Sequence, residues 1–158
     1  MDDLSRRSGG RKAKSVVFTA EQIATRVASL GREITAAYPD GDLLLLGLLK
    51  GSFIFLADLV RAVERPLQVD FLVASSYGSG TVSSGNVRLL YDPATDLAGK
   101  HIVVVEDIID SGRTLTRLVE LLRARHPASL AICTLLDKQI APEPPAELRF
   151  VGFHAPPA

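Results

Sequence analysis

Three carboxylates crowd into five positions of the segment VVVEDIIDSGRTL, residues 103–115. Glu106, Asp107 and Asp110 follow directly on an apolar run that is typical of a strand buried in a parallel sheet. Because like charges repel, a partner that offers positive charge or several hydroxyl groups is expected to bind there. The spacing therefore predicts a site for a polyhydroxylated ligand, a cation, or both.

The same segment continues through Asp110-Ser111-Gly112-Arg113-Thr114, between the predicted strand and a predicted helix. Gly112 permits a tight turn in which backbone N–H groups converge at the helix N-terminus, and Ser111 and Thr114 add hydroxyl donors. The helix dipole favours an anion at the same place. These residues predict a binding nest for a phosphate monoester.

The segment thus offers a phosphate-binding turn at one end and carboxylates at the other. This combination predicts a site for a ribose 5-phosphate. Glu106 and Asp107 can accept hydrogen bonds from the 2′- and 3′-hydroxyls, directly or through a divalent cation, and Asp110 is expected to point toward the anomeric carbon. The competing pattern GxxxxGK[ST] is absent. The glycines of GSGTVSSG lack the spacing and the strand–helix context of a dinucleotide-binding fingerprint.

The composition bounds the class of protein. A chain of 158 residues with 47% apolar and 23% charged residues suits one soluble globular domain. The formal net charge is zero, so no nucleic acid is expected as a partner. No run approaches the ~18 apolar residues of a membrane span. The single cysteine, Cys133, is expected to be buried in a strand, and a cytoplasmic location is predicted.

The N-terminal segment is basic and polar. Residues 6–14, RRSGGRKAK, are too polar to fold alone, and Asp2 and Asp3 count against a transit peptide. Residues 1–14 are therefore predicted to be a disordered basic tail, and residues 15–158 a single domain.

Hydrophobic periodicity predicts strands that alternate with helices after this tail. Thr19 and Gln22 predict a capping box at the start of the first helix, which PDGD ends at 39–42. The helix over 53–63 is apolar nearly all round and is expected to be buried inside the molecule. The alternation predicts an α/β fold with a mainly parallel sheet, whose ligand lies at the carboxyl ends of the strands. The predicted strands are 43–49, 69–76, 87–92, 101–107, 129–136 and 148–153, and the last helix is 114–125.

The segment VVVEDIIDSGRTL resembles the phosphoribosyl-pyrophosphate motif of the type I phosphoribosyltransferases, specifically the hypoxanthine-guanine branch. The resemblance continues through LLGLLKGSFIFLADL, VDFLVASSYGSG and LAICTLLDK, in matching order. It implies the type I phosphoribosyltransferase fold, a mainly parallel twisted sheet flanked by helices, with a small hood formed by the N-terminal edge and about residues 138–158. It also implies purine salvage: Mg²⁺-dependent displacement of pyrophosphate from phosphoribosyl pyrophosphate by a 6-oxopurine, hypoxanthine or guanine, which forms IMP or GMP.

Roles for individual residues follow from the resemblance. Asp110 corresponds to the general base or acid that handles the proton on purine N7, and crowding by two other carboxylates is expected to raise its pKa. Glu106 and Asp107 correspond to the pair that binds ribose and magnesium, and Lys50-Gly51 to a pyrophosphate loop with a cis peptide. The 5′-phosphate is assigned to Asp110, Ser111, Gly112, Arg113 and Thr114.

Base recognition is implied for the last third of the chain. Lys138 corresponds to the lysine that donates to the 6-oxygen, so that a 6-amino group is refused. Phe150 corresponds to the ring that stacks on the purine, with Ile108 on the other face, and Val151 to the residue whose carbonyl reads the 2-position. Ser76-Tyr77 begin a loop that is expected to close as a lid and exclude water.

The chain departs from the family pattern near its end. Family members usually place an aspartate for a second metal ion where Pro157 stands, and QIAPEPPAELR is shorter and richer in proline than the usual basic connector. Two functions stay open: the salvage transferase, or a catalytically weakened, phosphoribosyltransferase-like nucleotide sensor or regulator. A third, a transferase for another base, should not keep both Lys138 and Phe150. The family implies a homodimer or homotetramer, with the helix after Ser52 as a candidate contact.

Overall fold

The computed structural model describes residues 15–77, 86–141 and 143–155. The predicted tail, residues 1–14, and most of the predicted lid, residues 78–85, lie outside this described part, as does Pro157. The described residues form three helices and six strands: α1 Ala20–Ala37, β1 Leu43–Leu48, α2 Phe53–Ala62, β2 Gln68–Tyr77, β3 Asn86–Tyr91, β4 His101–Ile109, α3 Arg113–Arg123, β5 Ser129–Asp137 and β6 Leu148–His154.

The six strands form one sheet in the order β3-β2-β1-β4-β5-β6. Neighbouring strands from β2 to β6 pair in parallel, and β3 adds to the edge in the antiparallel sense. The prediction of a mainly parallel α/β sheet is confirmed. Because β1, β4 and β5 are parallel neighbours, the segments that follow Leu48, Ile109 and Asp137 emerge at the same edge.

Helices cover both faces of the sheet. On one face α1 and α2 bury Val27, Leu30, Phe55 and Leu59 in a common core with the inward side chains of β1, β4 and β5. On the other face α3 buries the residues predicted to point inward, Leu115, Leu118, Val119 and Leu122. The two cores lie on opposite sides of the central strands, since successive strand side chains point to opposite faces.

The first helix begins as the sequence predicts. Gln22 N donates to Thr19 Oγ1 at 3.1 Å, and Thr19 N donates to Gln22 Oε1 at 2.8 Å. This capping box satisfies two N–H groups that would otherwise lack partners at the helix end. At Gly31 a Cβ would overlap the backbone of Ala62, so a residue without a side chain lets α1 and α2 approach closely.

The structure contradicts the expectation that the second helix is buried all round. Phe55, Leu56 and Leu59 of α2 are buried, but Phe53 is 57% exposed and Ile54 is 61% exposed. The helix belongs to an outer layer, so only the side facing α1 and the sheet loses contact with solvent. No helix in the described ranges is long and apolar enough to cross a membrane.

The two ends of the described chain meet at the edge of the sheet. Phe18 stacks on Phe153, with ring centroids 4.1 Å apart and planes inclined by 23°. The strand that carries Phe153, β6, is itself the sixth strand of the main sheet. A hood that stands apart from the sheet therefore stays a prediction.

Candidate active site

A cavity of about 170 Å³ opens at the carboxyl end of β4, where the sequence predicts the ligand. Liquid water takes about 30 Å³ per molecule, so the space has room for a phosphate group. Its walls come from the end of β1, the end of β4 and the turn into α3. The lining residues are Leu48, Glu106, Ile108, Ile109, Asp110, Ser111, Gly112, Arg113, Thr114 and Leu115.

The turn into α3 has the geometry of an anion nest. Gly112 adopts a left-handed conformation, with φ of 73°, and caps the helix that starts at Arg113. The carbonyl of Gly112 accepts from Thr116 N at 2.9 Å, which closes the first helical turn. The first N–H groups of a helix have no partner within it, and here the residues that carry them, Arg113 and Thr114, line the cavity. All five residues from Asp110 to Thr114 line one cavity, as their predicted common role requires.

Two adjacent carboxyl groups stand at the end of β4. Glu106 Oε1 accepts from Asp107 N at 3.1 Å, and Asp107 Oδ1 accepts from Ile108 N at 2.9 Å. Partial burial raises the pKa of Glu106 from 4.5 to about 8, and the hydrogen bond that protonated Glu106 donates to the Asp107 carboxylate and the charge of that carboxylate act in the same direction. Glu106 therefore keeps its proton to higher pH than an ordinary glutamate in the ligand-free protein.

The crowding of carboxylates that the sequence predicts at Asp110 is found at Glu106 instead. Asp110 lies on the turn beyond the strand, and its side chain is 62% exposed. Its Oδ1 lies 3.1 Å from Nζ of Lys138, so its close charged neighbour is a cation.

Lys138 reaches Asp110 because β4 and β5 are parallel neighbours. Ile109 pairs with Asp137 at the last rung, and Lys138 N donates to Ile109 O at 3.1 Å. The ammonium and the carboxylate consequently stand side by side at the mouth of the cavity. Ile108, 43% exposed, presents an apolar surface in the same place. These three residues lie together, as their predicted role in base binding requires.

Phe150, the ring predicted to stack on the base, lies in the core of the domain. Phe150 is only 4% exposed and belongs to the core under α1 and α2, where its ring lies 6.3 Å from that of Tyr38. Its register partner, Cys133, points into the same core. Ile109 and Leu115, which line the cavity, belong to the core on the opposite face. The stacking of Phe150 on the base stays a prediction.

The carbonyl of Val151 has a different partner from the one predicted. Arg26 of α1 donates through Nη2 to Val151 O at 2.7 Å and through Nε to Gly152 O at 2.8 Å. The same guanidinium pairs with Glu33 at 2.9 Å. The Val151 carbonyl thus anchors α1 to β6. Because a carbonyl oxygen can accept two hydrogen bonds, its role as the reader of the purine 2-position stays a prediction.

The predicted pyrophosphate loop lies beside the acidic pair. The peptide bond between Leu49 and Lys50 is cis, so the cis peptide expected in this loop is present. A Cβ added at Gly51 would stand 3.0 Å from Asp107 Oδ1, so the loop backbone passes close to that carboxylate. Ser52, fully buried, donates through Oγ to Leu48 O at 2.6 Å and fixes the loop to β1. A ligand in this loop would therefore be close to Asp107.

The predicted lid is described only at its base. The backbone of Ser76 pairs with Val87 and that of Tyr77 with Asn86 at the end of the β2–β3 ribbon. Residues 78–85 and the side chains of Ser76 and Tyr77 lie outside what the structure describes. Closure of this loop stays a prediction.

The acidic pair fits a magnesium ion. Within residues 15–77, 86–141 and 143–155, no three His, Cys, Asp or Glu side chains form a cluster that could hold a metal alone. Mg²⁺ is usually held by one or two carboxylates together with substrate phosphates. Glu106 and Asp107 supply that donor set, and a cation beside them would offset the burial and the neighbouring charge that raise the pKa of Glu106.

Two residues make contacts in and around the candidate site that the sequence does not predict. Arg26 is one of two arginines on α1, and nothing in its spacing reveals the carbonyls that it binds. Pro145 lies in the segment APEPPAE, which predicts a stiff connector but not a contact. In the structure Pro145 is buried against Gly112.

Comparisons with known proteins agree with this fold. Residues 15–156 match the family described as the phosphoribosyl transferase domain. The hypoxanthine phosphoribosyltransferase of Salmonella typhimurium is 50% identical over 143 residues, which covers 89% of this chain and 80% of that protein. The hypoxanthine-guanine phosphoribosyltransferase of Mycobacterium avium is 49% identical over 149 residues, covering 90% and 73%.

A solved structure shows the same architecture. The crystal structure of a hypoxanthine phosphoribosyltransferase from Staphylococcus aureus superposes with a TM-score of 0.89 at 35% identity, covering 99% of this chain and 83% of that one. The similarity thus extends over the sheet, the helices and the turn that forms the cavity. This chain belongs to the phosphoribosyltransferase family, in the branch of the hypoxanthine and hypoxanthine-guanine phosphoribosyltransferases.

Proposed function

We propose that this protein transfers the 5-phosphoribosyl group of phosphoribosyl pyrophosphate to N9 of hypoxanthine and guanine, forming IMP or GMP and pyrophosphate with Mg²⁺ as cofactor. The observation that carries the proposal is the cavity at the end of β4, in which Glu106 and Asp110 share a wall with the turn at 111–114. The names of the relatives, hypoxanthine and hypoxanthine-guanine phosphoribosyltransferases, support the choice of base.

The 5′-phosphate is assigned to the turn. Its oxygens accept from the N–H groups at the start of α3 and from the hydroxyls of Ser111 and Thr114, where the helix dipole adds to the attraction. The sugar then extends toward the end of β4, where Glu106 and Asp107 accept from its 2′- and 3′-hydroxyls. The left-handed Gly112 supports this assignment, because residues with a Cβ rarely adopt the positive φ that this turn requires.

The purine is assigned to the pair Lys138 and Asp110, whose charged atoms are 3.1 Å apart. On a 6-oxopurine, O6 accepts and a protonated N7 donates, and the two atoms lie on the same edge of the base. Lys138 can donate to O6 while Asp110 accepts from N7, so base binding replaces one ion pair by two charge-assisted hydrogen bonds. An ammonium has no acceptor for a 6-amino group, which explains a preference against adenine.

Bond exchange at the anomeric carbon needs a proton acceptor and a stabilised leaving group. As N9 bonds to the anomeric carbon, positive charge develops on the base, and the Asp110 carboxylate takes the N7 proton. Lys50 and Gly51 hold the pyrophosphate beside Asp107. Glu106 and Asp107 would hold a Mg²⁺ ion, which when bound would supply positive charge to the departing pyrophosphate. Closure of the loop that starts at Ser76-Tyr77 excludes water from the activated sugar.

Assembly and location are part of the same proposal. A homodimer or homotetramer is supported by the exposed apolar side chains of Phe53 and Ile54 on α2, the helix assigned to the contact. Light scattering would measure the assembly. A cytoplasmic location is supported by the only cysteine, Cys133, which is a buried free thiol.

The test is nucleotide formation with each base. Hypoxanthine, guanine, xanthine and adenine are supplied in turn with phosphoribosyl pyrophosphate and Mg²⁺, and IMP or GMP is expected only from the first two. Asp110→Asn should lower kcat by about 10²- to 10⁴-fold, the usual contribution of a general acid–base group. Asp58→Asn is the matched control, because Asp58 is an exposed aspartate that pairs with Arg61 on α2.

Two results would contradict the proposal. If Asp110→Asn kept full activity, proton transfer would not pass through this carboxylate. If the wild-type protein bound IMP tightly but formed no nucleotide from any base, the protein would be a nucleotide sensor or regulator instead.

A further inference from the structure

The connector between β5 and β6 lies against the turn that is assigned to the phosphate. Within it Pro145 is buried, whereas the adjacent Pro144 is exposed. A Cβ added at Gly112 would stand 3.2 Å from Pro145 Cδ and 3.5 Å from its Cγ. The pyrrolidine ring therefore packs directly on the left-handed residue of the turn.

The connector is fixed on both sides of this contact. Before it, Lys138 N donates to Ile109 O at 3.1 Å. After it, the Glu147 carboxylate pairs with Arg123 of α3 at 2.6 Å, and Glu147 O accepts from Ile132 N at 2.8 Å. The Pro145 carbonyl itself accepts from Leu148 N at 3.0 Å. Pro145 is thus held in place by β4, β5 and α3 independently of any ligand.

We propose that Pro145 is a positioning residue for the 5′-phosphate of phosphoribosyl pyrophosphate, acting through its packing on Gly112. The proposal rests on the proposed function, because it assumes that the turn at 111–114 holds that phosphate. Pro145 does not touch the substrate. Its role is to restrict Gly112 to the one conformation in which the neighbouring N–H groups converge.

The physical basis is the freedom of glycine. A glycine visits both positive and negative φ at little cost, so the turn has no intrinsic preference for its binding geometry. A rigid ring held against Gly112 removes the alternative conformations before the ligand arrives. Binding then does not have to order the turn. Because less conformational entropy is lost on binding, the affinity for the phosphate is higher.

The test compares Pro145→Ala with Pro144→Ala, which changes the exposed neighbour in the same connector. The dissociation constant of ribose 5-phosphate is measured by calorimetry, and KM and kcat are measured for both substrates. Pro145→Ala should weaken ribose 5-phosphate binding and raise KM for phosphoribosyl pyrophosphate about tenfold, equivalent to about 1.4 kcal/mol of ordering cost. KM for hypoxanthine and kcat should stay within about twofold, and Pro144→Ala should match the wild type in every respect.

A second variant covers the case in which Pro145→Ala does not fold, which thermal unfolding would reveal. Glu147→Gln releases the far end of the connector without touching the turn, and it should weaken ribose 5-phosphate binding roughly threefold, the range of one ion pair. Unchanged binding in the folded variants, or an equal loss for both substrates, would overturn the role of Pro145 alone. A wild-type protein that neither turns over nor binds ribose 5-phosphate would overturn the proposed function as well.

Discussion

The protonated state of Glu106 predicts an unusual pH dependence of stability. Its pKa is about 8 in the folded protein against 4.5 ordinarily, mainly because the carboxyl is buried and secondly because Asp107 is adjacent. Below the ordinary value both the folded and the unfolded chain hold the proton. Between the two values the folded chain holds more protons, so the free energy of unfolding falls as pH rises and levels off above the folded pKa.

The size of the effect follows from the shift. Each unit of pKa difference corresponds to 1.36 kcal/mol, so ionising Glu106 costs the folded protein up to about 5 kcal/mol. Between pH 5 and pH 9 the loss from this one group is roughly 4 kcal/mol. Glu106→Gln keeps the shape and the burial of the side chain but cannot ionise. The free energy of unfolding of this variant should therefore fall less between pH 5 and pH 9 than that of the wild type.

The assay is urea unfolding of the ligand-free wild type and of Glu106→Gln at pH 5 and pH 9, without Mg²⁺. The other titrating groups are common to both proteins. The difference between the two proteins in the loss of unfolding free energy from pH 5 to pH 9 therefore measures the contribution of Glu106 alone. Glu120→Gln on α3 is the control, because that carboxylate is exposed and should leave the fall unchanged. Asp107→Asn should reduce the fall but not abolish it, because burial is the larger cause. Equal falls for Glu106→Gln and the wild type would refute the reasoning.

Three further substitutions test other contacts. Gly112→Ala should destabilise the protein by about 1–2 kcal/mol, because the left-handed conformation of the turn is unfavourable for a residue with a Cβ. Calorimetry should also show weaker binding of ribose 5-phosphate to this variant. Unaltered binding would count against the phosphate assignment. Arg26→Ala should cost roughly 1–3 kcal/mol in urea unfolding, because it leaves the carbonyls of β6 without their donor, whereas Arg26→Lys should recover part of the loss. Thr19→Ala removes the cap of α1 and should cost about 1 kcal/mol, with no change in kcat.

The parts of the fold that the sequence predicts correctly depend on patterns of residues close together in the chain. The capping box at Thr19 and the inward face of α3 depend on residues three or four apart, so sequence spacing alone determines them. The meeting of Lys138 with Asp110 was also within reach, because parallel neighbouring strands end at the same edge. The acidic strand end and the glycine turn were adjacent in sequence and needed no long-range information.

Other features of the structure depend on contacts that sequence spacing does not fix. The face on which Phe150 lies depends on the register of β6 against β5, and that register shifts between Ile132 and Cys133. A shift of one residue moves a strand side chain to the other face, so the resemblance alone could not place this ring. Likewise the contact of Pro145 with Gly112 joins residues far apart in the chain, and only the folded connector brings them together.

The most direct test of the account is a crystal structure of the protein with IMP. The phosphate is predicted to bind the N–H groups and hydroxyls of residues 111–114, with the ribose hydroxyls toward Glu106 and Asp107 and the purine 6-oxygen at Lys138. A phosphate bound at any other place, or a ribose that leaves both carboxyl groups facing bulk solvent, would contradict it.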